Sequence, residues 1–323
     1  MPLTDYTVPP WLRSGHLQTL YPSLLRRVEP VAYRRERIAT ADDDFLDLDW
    51  ATVGSDSLAV ISHGLEGHSR RAYVQGMVRA FNQAGIDALA WNFRGCSGEP
   101  NRRLRLYHNG AFDDLDSVIR HAAPAYRSLY LVGFSLGGNM TLLYLGKEAS
   151  TLPTAVKGSV VFSAPCDLTD AAVALARREN SIYMRYFLRS LEEKIRAKQE
   201  RFPGAVDLHG FEQIRTFRDF DQRYTAPLYG FAGAEDYWTR CSSRPWLQAI
   251  EVPTLIVNAA DDPFLAGGCY PVAECGWNPR VTLQVTRHGG HVGFVRHGHR
   301  GRYWSEERAV EYVRKLEGLG EGR

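Results

Sequence analysis

A serine stands between two glycines at Gly133-Phe134-Ser135-Leu136-Gly137, directly behind the apolar run 129–133 (LYLVG) and directly ahead of the leucine-rich stretch 136–147. The first reads as a buried strand and the second as a helix. A chain that passes from strand to helix across one residue must turn sharply. Glycines two positions either side of the serine let neighbouring backbone close in. The pattern therefore predicts a strand–turn–helix with Ser135 at its tip. There the free N–H groups and the dipole of the helix N-terminus favour developing negative charge, which suits a nucleophile.

The flanking sequence carries the same rhythm. Residues 57–62 (SLAVIS), 86–92 (IDALAWN) and 155–163 read as further strands. Segments 70–85, closed by Gly85, and 112–121, with Leu115, Val118 and Ile119 at helical spacing, read as helices. After an interruption the alternation resumes with strands at 253–258 and 281–285 and a last helix over 306–316. Alternating strands and helices predict an α/β domain with a mostly parallel central sheet flanked by helices. The interruption, 167–248, is helical, charged and aromatic, with Tyr183, Tyr186, Phe187, Phe211, Phe217, Phe220 and Tyr224. No Gly/Ser-rich linker bounds it. It is expected as a helical lid inserted into a single domain spanning 1–323 and covering the C-terminal edge of the sheet.

Composition excludes several classes. A net charge of +2 with interspersed acids and bases lacks the concentrated basic face that nucleic acid requires. The run Arg34-Arg35-Glu36-Arg37 is expected as a solvated strand or loop. Five cysteines without a CxxC pair, and a beginning without an apolar secretory core, fit a reducing, cytoplasmic setting. No uncharged apolar stretch reaches ~18 residues, so no transmembrane helix is expected, and peripheral membrane contact stays open. Oligomeric state is not readable.

Three loops after strands complete the chemistry. His63-Gly64-Leu65 follows the SLAVIS strand, where the backbone N–H of Leu65 would join that of Leu136 as an oxyanion donor. Asn258-Ala259-Ala260-Asp261-Asp262-Pro263-Phe264 holds two competing aspartates. The usual pattern is a strand followed by G-x-x-D. With Ala259 in the glycine place, the acid is Asp262, and Asp261 becomes a surface or turn residue. Gly289-Gly290-His291-Val292-Gly293-Phe294 presents His291 as the base, and the order Ser, Asp, His is the expected one. His288, His297 and His299 crowd nearby with ligand-like spacing, but no acid or cysteine pattern completes a metal site, so neither metal nor cofactor is expected. His108 and Asp113 match H-x-x-x-x-D, a pattern of glycerolipid acyltransferases. They are read instead as a structural loop histidine and a helix-capping acid. Cys96 is read as a small buried turn residue.

Together these residues resemble the YheT-like branch of the α/β hydrolases over nearly the whole chain. The resemblance runs from Trp11-Leu12-Arg13-Ser14-Gly15-His16-Leu17-Gln18-Thr19 through His63-Gly64-Leu65-Glu66-Gly67, Asn92-Phe93-Arg94-Gly95-Cys96-Ser97-Gly98 and Tyr107-His108-Asn109-Gly110. It continues through Gly133–Asn139, Ser163-Ala164-Pro165 and Asp236-Tyr237 to the aspartate and histidine loops. It implies an α/β-hydrolase fold and an esterase or lipase-like serine hydrolase. The implied substrate is a small lipid-like acyl ester of short to medium chain, and no cofactor is needed. Transfer of the acyl group to an alcohol by the same triad, or a non-catalytic binding module, are the rival readings.

Overall fold

The computed structural model describes Leu3 and residues 6–298 and 301–318. His299 therefore lies outside the described residues. Eight strands form one sheet: β1 (Arg34–Ala39), β2 (Phe45–Ala51), β3 (Ser57–Ser62), β4 (Asp87–Asn92), β5 (Ser128–Phe134), β6 (Val156–Phe162), β7 (Thr254–Ala259) and β8 (Val281–Thr286). Their order is β1-β2-β4-β3-β5-β6-β7-β8. β2 runs antiparallel to both its neighbours, and every other pairing is parallel.

The helices are α1 (Gly15–Leu25), α2 (Ala72–Gln83), α3 (Phe112–Ala122), α4 (Leu136–Lys147), α5 (Leu168–Leu175), α6 (Ser181–Arg201), α7 (Phe217–Phe220), α8 (Ala226–Tyr229), α9 (Ala234–Cys241), α10 (Val272–Trp277) and α11 (Trp304–Leu316). A strand covered on both faces needs no polar alternation, and every residue of β3, β4, β5 and β7 is buried. One face packs Met77 and Phe81 of α2 with Val310 and Val313 of α11 against Ala59, Tyr130 and Val257. The other packs Leu115 and Val118 of α3 with Met140 and Leu145 of α4 against Leu58, Leu89 and Leu131. α4 is apolar all round because it is buried all round, with only Lys147 at its end partly exposed.

The arginine run forms the solvated edge strand β1, and its arginines also reach buried acids of the neighbouring strand. Arg35 and Arg37 sit opposite Asp49 and Asp47 in the register and make bidentate ion pairs with them. Both carboxylates are buried, and the guanidinium stems cover them. Charges face one another across this strand pair because each buried aspartate needs a fixed cation.

Two helices carry no clear periodic signal. α1 contains Pro22 and packs against the histidine loop, and α10 is a short turn before β8. Between β6 and β7 the chain forms α5 to α9 with no strand. α6 and α7 share an apolar cluster of Met184, Leu188, Ile195, Phe211 and Phe220 that is separate from the sheet's two cores. One five-residue π-helical turn, Asp221–Thr225, interrupts this region.

Candidate active site

Ser135 occupies the turn between β5 and α4 with φ 51° and ψ −120°, a conformation L-residues rarely adopt. The surroundings enforce it. Ser135 N–H donates to Phe162 O of β6 at 2.9 Å. A Cβ at Gly133 would lie 2.6 Å from Gly137 O, and one at Gly137 would lie 2.4 Å from His63 O. Both glycines are required because backbone, which cannot give way, fills the space.

Asp262 follows β7 and His291 follows β8. The Ser135 hydroxyl donates to His291 Nε2 at 2.8 Å. His291 Nδ1–H donates to Asp262 Oδ2 at 2.9 Å and reaches Oδ1 at 3.1 Å. Among the described residues the carboxylate is the only acceptor at that nitrogen, so the proton belongs on Nδ1 and leaves Nε2 to accept. The Asp262 side chain is fully buried, and Phe264 N–H donates to its Oδ1 at 2.9 Å. The Phe264 ring lies 4.2 Å from the imidazole, centroid to centroid.

The histidine loop is held mainly from elsewhere in the chain. His291 N–H donates to Thr19 Oγ1 at 2.9 Å. Gln18 makes a two-way amide pair with Val295, and Val292 N–H donates to Ser163 Oγ. Gly290, with φ +55°, packs so closely on α1 that a Cβ would fall 2.4 Å from Gly15 O. α1 thus supports the His291 loop, a contact that the sequence signal Ser14–Thr19 did not disclose.

Asp261 is half-buried and lies in the turn after β7. Its Oδ1 accepts from Gly290 N–H at 2.9 Å, its Oδ2 lies 3.3 Å from His288 Nδ1, and Gly15 packs on its carbonyl. It fastens the loop next to His291 while Asp262 contacts the ring. Adjacent residues on the turn point to different partners, so the two acids take different work. Burial pushes the Asp261 carboxyl above its ordinary value, against the pull of Gly290 N–H and His288.

Leu65 and Leu136 both line the cleft beside Ser135 and His291. Leu136 is the first residue of α4, so its N–H has no acceptor four residues back in the helix. The Leu65 N–H finds no acceptor among the described residues. Its peptide is fixed through the opposite end: Gly64 O accepts from Gly67 N–H at 3.0 Å and from His63 Nδ1–H at 2.8 Å. A planar trans peptide points its N–H away from its C=O, so anchoring Gly64 O turns the Leu65 N–H the other way. His63 is fully buried, accepts from Phe93 N–H at Nε2, and is pushed down to about 3 by burial, so it stays neutral.

The cleft is narrow, with a cavity volume of about 120 Å³. Its walls come from α5, α6, α7 and α9 on one side and from the loops carrying Ser135 and His291 on the other. Ala171, Leu175, Leu191, Phe217 and Trp238 make much of it apolar. His108 lines it too, packed on the Tyr229 ring, and burial depresses it to about 3. Asp113 does not cap α3: it sits inside the first turn and pairs with Arg105 at 2.8 Å. His108 has a different partner, accepting from Gly110 N–H, and the two side chains are not hydrogen-bonded to each other. Cys96 is outside the cleft lining, with its Sγ 3.1 Å from Lys194 Nζ. Among the described residues no three His, Cys, Asp or Glu side chains gather as a metal-binding set, and no helix is long and apolar enough to cross a membrane.

Comparison with known proteins gives this arrangement its context. Residues 60–297 match the alpha/beta hydrolase fold family. The Escherichia coli protein YheT, named as an esterase, is 38% identical over 293 residues, covering 87% of this chain and 84% of its own. Human phospholipase ABHD3 is 30% identical over 297 residues, covering 88% of this chain and 72% of its own. Among solved structures, the Pyrococcus furiosus esterase Pf2001 superimposes with a TM-score of 0.59 at 16% identity, over 90% of this chain and 98% of that one. The match of fold and the extent of the sequence likeness lead to one conclusion: the chain belongs to the α/β-hydrolase fold family, in its YheT-like branch.

Proposed function

We propose that the chain hydrolyses carboxylic acyl esters through Ser135 as nucleophile, His291 as general base and Asp262 as the acid that orients it. The observation that carries this reading is the unbroken hydrogen-bonded series from Ser135 Oγ through His291 to the buried Asp262 carboxylate, opening onto an apolar cleft. His291 takes the serine proton as Oγ attacks the ester carbonyl. The Leu65 and Leu136 N–H groups receive the oxyanion, and His291 then protonates the leaving alcohol. Water releases the acid by the same route, and no cofactor takes part.

The segment 167–248 acts as a lid whose apolar side chains hold the hydrocarbon part of the substrate. The esterase and phospholipase names of the relatives support a lipid-like acyl ester, and the apolar lining of the narrow cleft supports a hydrocarbon acyl group of short to medium length. Five free thiols support work in a reducing compartment such as the cytoplasm. The test combines a fluorophosphonate probe with p-nitrophenyl esters of graded chain length. Ser135 should be the residue labelled, and turnover should peak at a short or medium chain. A folded, probe-inert protein would return the non-catalytic reading. Ester products formed with added glycerol in preference to free acid would return acyl transfer.

A further inference from the structure

Glu66, which follows the Leu65 donor, has φ +54° without being a glycine. Such a conformation persists only where surrounding contacts over-determine it. Here the N–H, the C=O and one carboxylate oxygen of the residue are all held. Its N–H donates to Tyr107 Oη at 2.8 Å, and Tyr107 Oη–H donates back to its Oε1 at 2.5 Å. Its C=O accepts from Arg71 Nη2 at 3.0 Å. Lys194 Nζ stands 3.6 Å from the same Oε1. The carboxylate is 8% exposed and the lysine side chain 15%, so the pair is largely shielded from water.

Lys194 does not belong to the loop. It lies in α6, in the helical region between β6 and β7, and also donates to Gly95 O at 2.7 Å. Its ammonium also stands 5.3 Å from the centre of the Tyr107 ring. Leu191 of the same helix and Tyr107 both line the cleft. The helix that contributes to the cleft wall therefore also holds the backbone next to an oxyanion donor.

We propose that Lys194, Glu66 and Tyr107 form a positioning clamp through which docking of α6 holds the Gly64–Gly67 turn that aims the Leu65 N–H. The clamp rests on the serine-hydrolase reading given above. Glu66 and Lys194 lie outside the cleft lining, so the clamp acts through the backbone and not on the reacting atoms. It works by holding the Glu66 peptide in its left-handed conformation, and so keeps the donor aimed at developing charge. Substrate bound beneath α6 and transition-state stabilisation are then linked by one side chain.

Three full-length variants test it: Lys194→Met, Tyr107→Phe, and the double variant Lys194→Met/Glu66→Gln, which leaves no unpaired buried carboxylate. Two inhibitors of one carbon skeleton serve as probes. A trifluoromethyl ketone forms a reversible Ser135 adduct bearing an oxyanion, whereas the corresponding secondary alcohol only fills the cleft. Losing one oxyanion donor costs on the order of 10²–10³ in rate, so misdirecting one should cost about 10–100-fold in kcat with KM little changed. The ketone inhibition constant should rise by the same factor as kcat/KM falls, and the alcohol constant should stay within about twofold. The double variant should regain melting temperature but not activity. Full activity in folded Lys194→Met, or equal weakening of ketone and alcohol, overturns the clamp. If the unmutated protein binds neither the ketone nor a fluorophosphonate, the hydrolase reading falls first and the clamp with it.

Discussion

Ser135 and His291 stand 2.8 Å apart, yet they are held by unlike means. The serine side is local. Its strained turn is enclosed by β5, α4 and the adjoining backbone of β3 and β6, and five successive residues of sequence state its requirements. The histidine side is assembled across the chain. Thr19 and Gln18 come from more than 270 residues upstream, Ser163 from the end of β6, and Asp261 and Asp262 from the end of β7. A strained serine turn is best fixed by backbone that cannot relax. An imidazole whose ring contacts two partners is fixed instead by side-chain hydrogen bonds at several points.

The largest effect should come from the local side. Ser135→Ala keeps the turn and removes only the hydroxyl. Ester hydrolysis should fall by roughly 10⁶, by analogy with other serine triads, with a near-unchanged melting temperature. Steady-state turnover on folded protein measures it, and retained activity would end the assignment. Asp262→Asn should come next, at about 10⁴ in kcat, since an amide cannot hold the Nδ1–H tautomer or stabilise the imidazolium. Substrate binding should change little, which a KM series resolves.

The same contrast explains what could be read from sequence. Ser135 was legible because glycine spacing, an apolar strand and a leucine-rich helix are contiguous. The parallel sheet was legible because β3, β5 and β7 are buried on both faces and spell short apolar runs. β1 was legible only as a strand or loop, because its arginines answer Asp47 and Asp49, which no local pattern pairs with them. The support from α1 was hidden for the same reason. Thr19 and Gln18 look like ordinary helix residues until β8 brings the histidine loop to them. Aligning Ala259 with a glycine selects Asp262, and Asp262 is the aspartate in contact with His291 Nδ1. Asp261 was undervalued because its partner is a backbone N–H, which leaves no trace in sequence.

Thr19→Val probes the long-range side directly. It leaves the His291 N–H without its acceptor in a partly buried place, at a cost of about 1–3 kcal/mol. The imidazole should lose its fixed aim as well. A fall of roughly tenfold in kcat is expected, with parallel slowing of fluorophosphonate labelling at Ser135, because both depend on the same base. Unchanged labelling with lower stability alone would show that α1 supports the fold and not the base.

Asp261→Asn should have the smallest effect, and its pH dependence distinguishes it from its neighbour. The carboxyl of Asp261 is raised above its ordinary 3.8 by burial, despite Gly290 N–H and His288. A carboxyl raised by folding favours the native state most when protonated. That contribution is complete below 3.8 and is lost as pH rises through the higher folded value. At pH 8 the wild-type protein therefore holds an ionised group that its surroundings resist. Asparagine keeps an oxygen for Gly290 N–H without the charge. The variant should match or exceed wild type in melting temperature at pH 8 and lose that margin toward pH 4, while kcat stays within about threefold. A loss approaching that of Asp262→Asn would mean that the ionised Asp261 itself holds His291 in place, and the division of labour between the two aspartates would have to be redrawn.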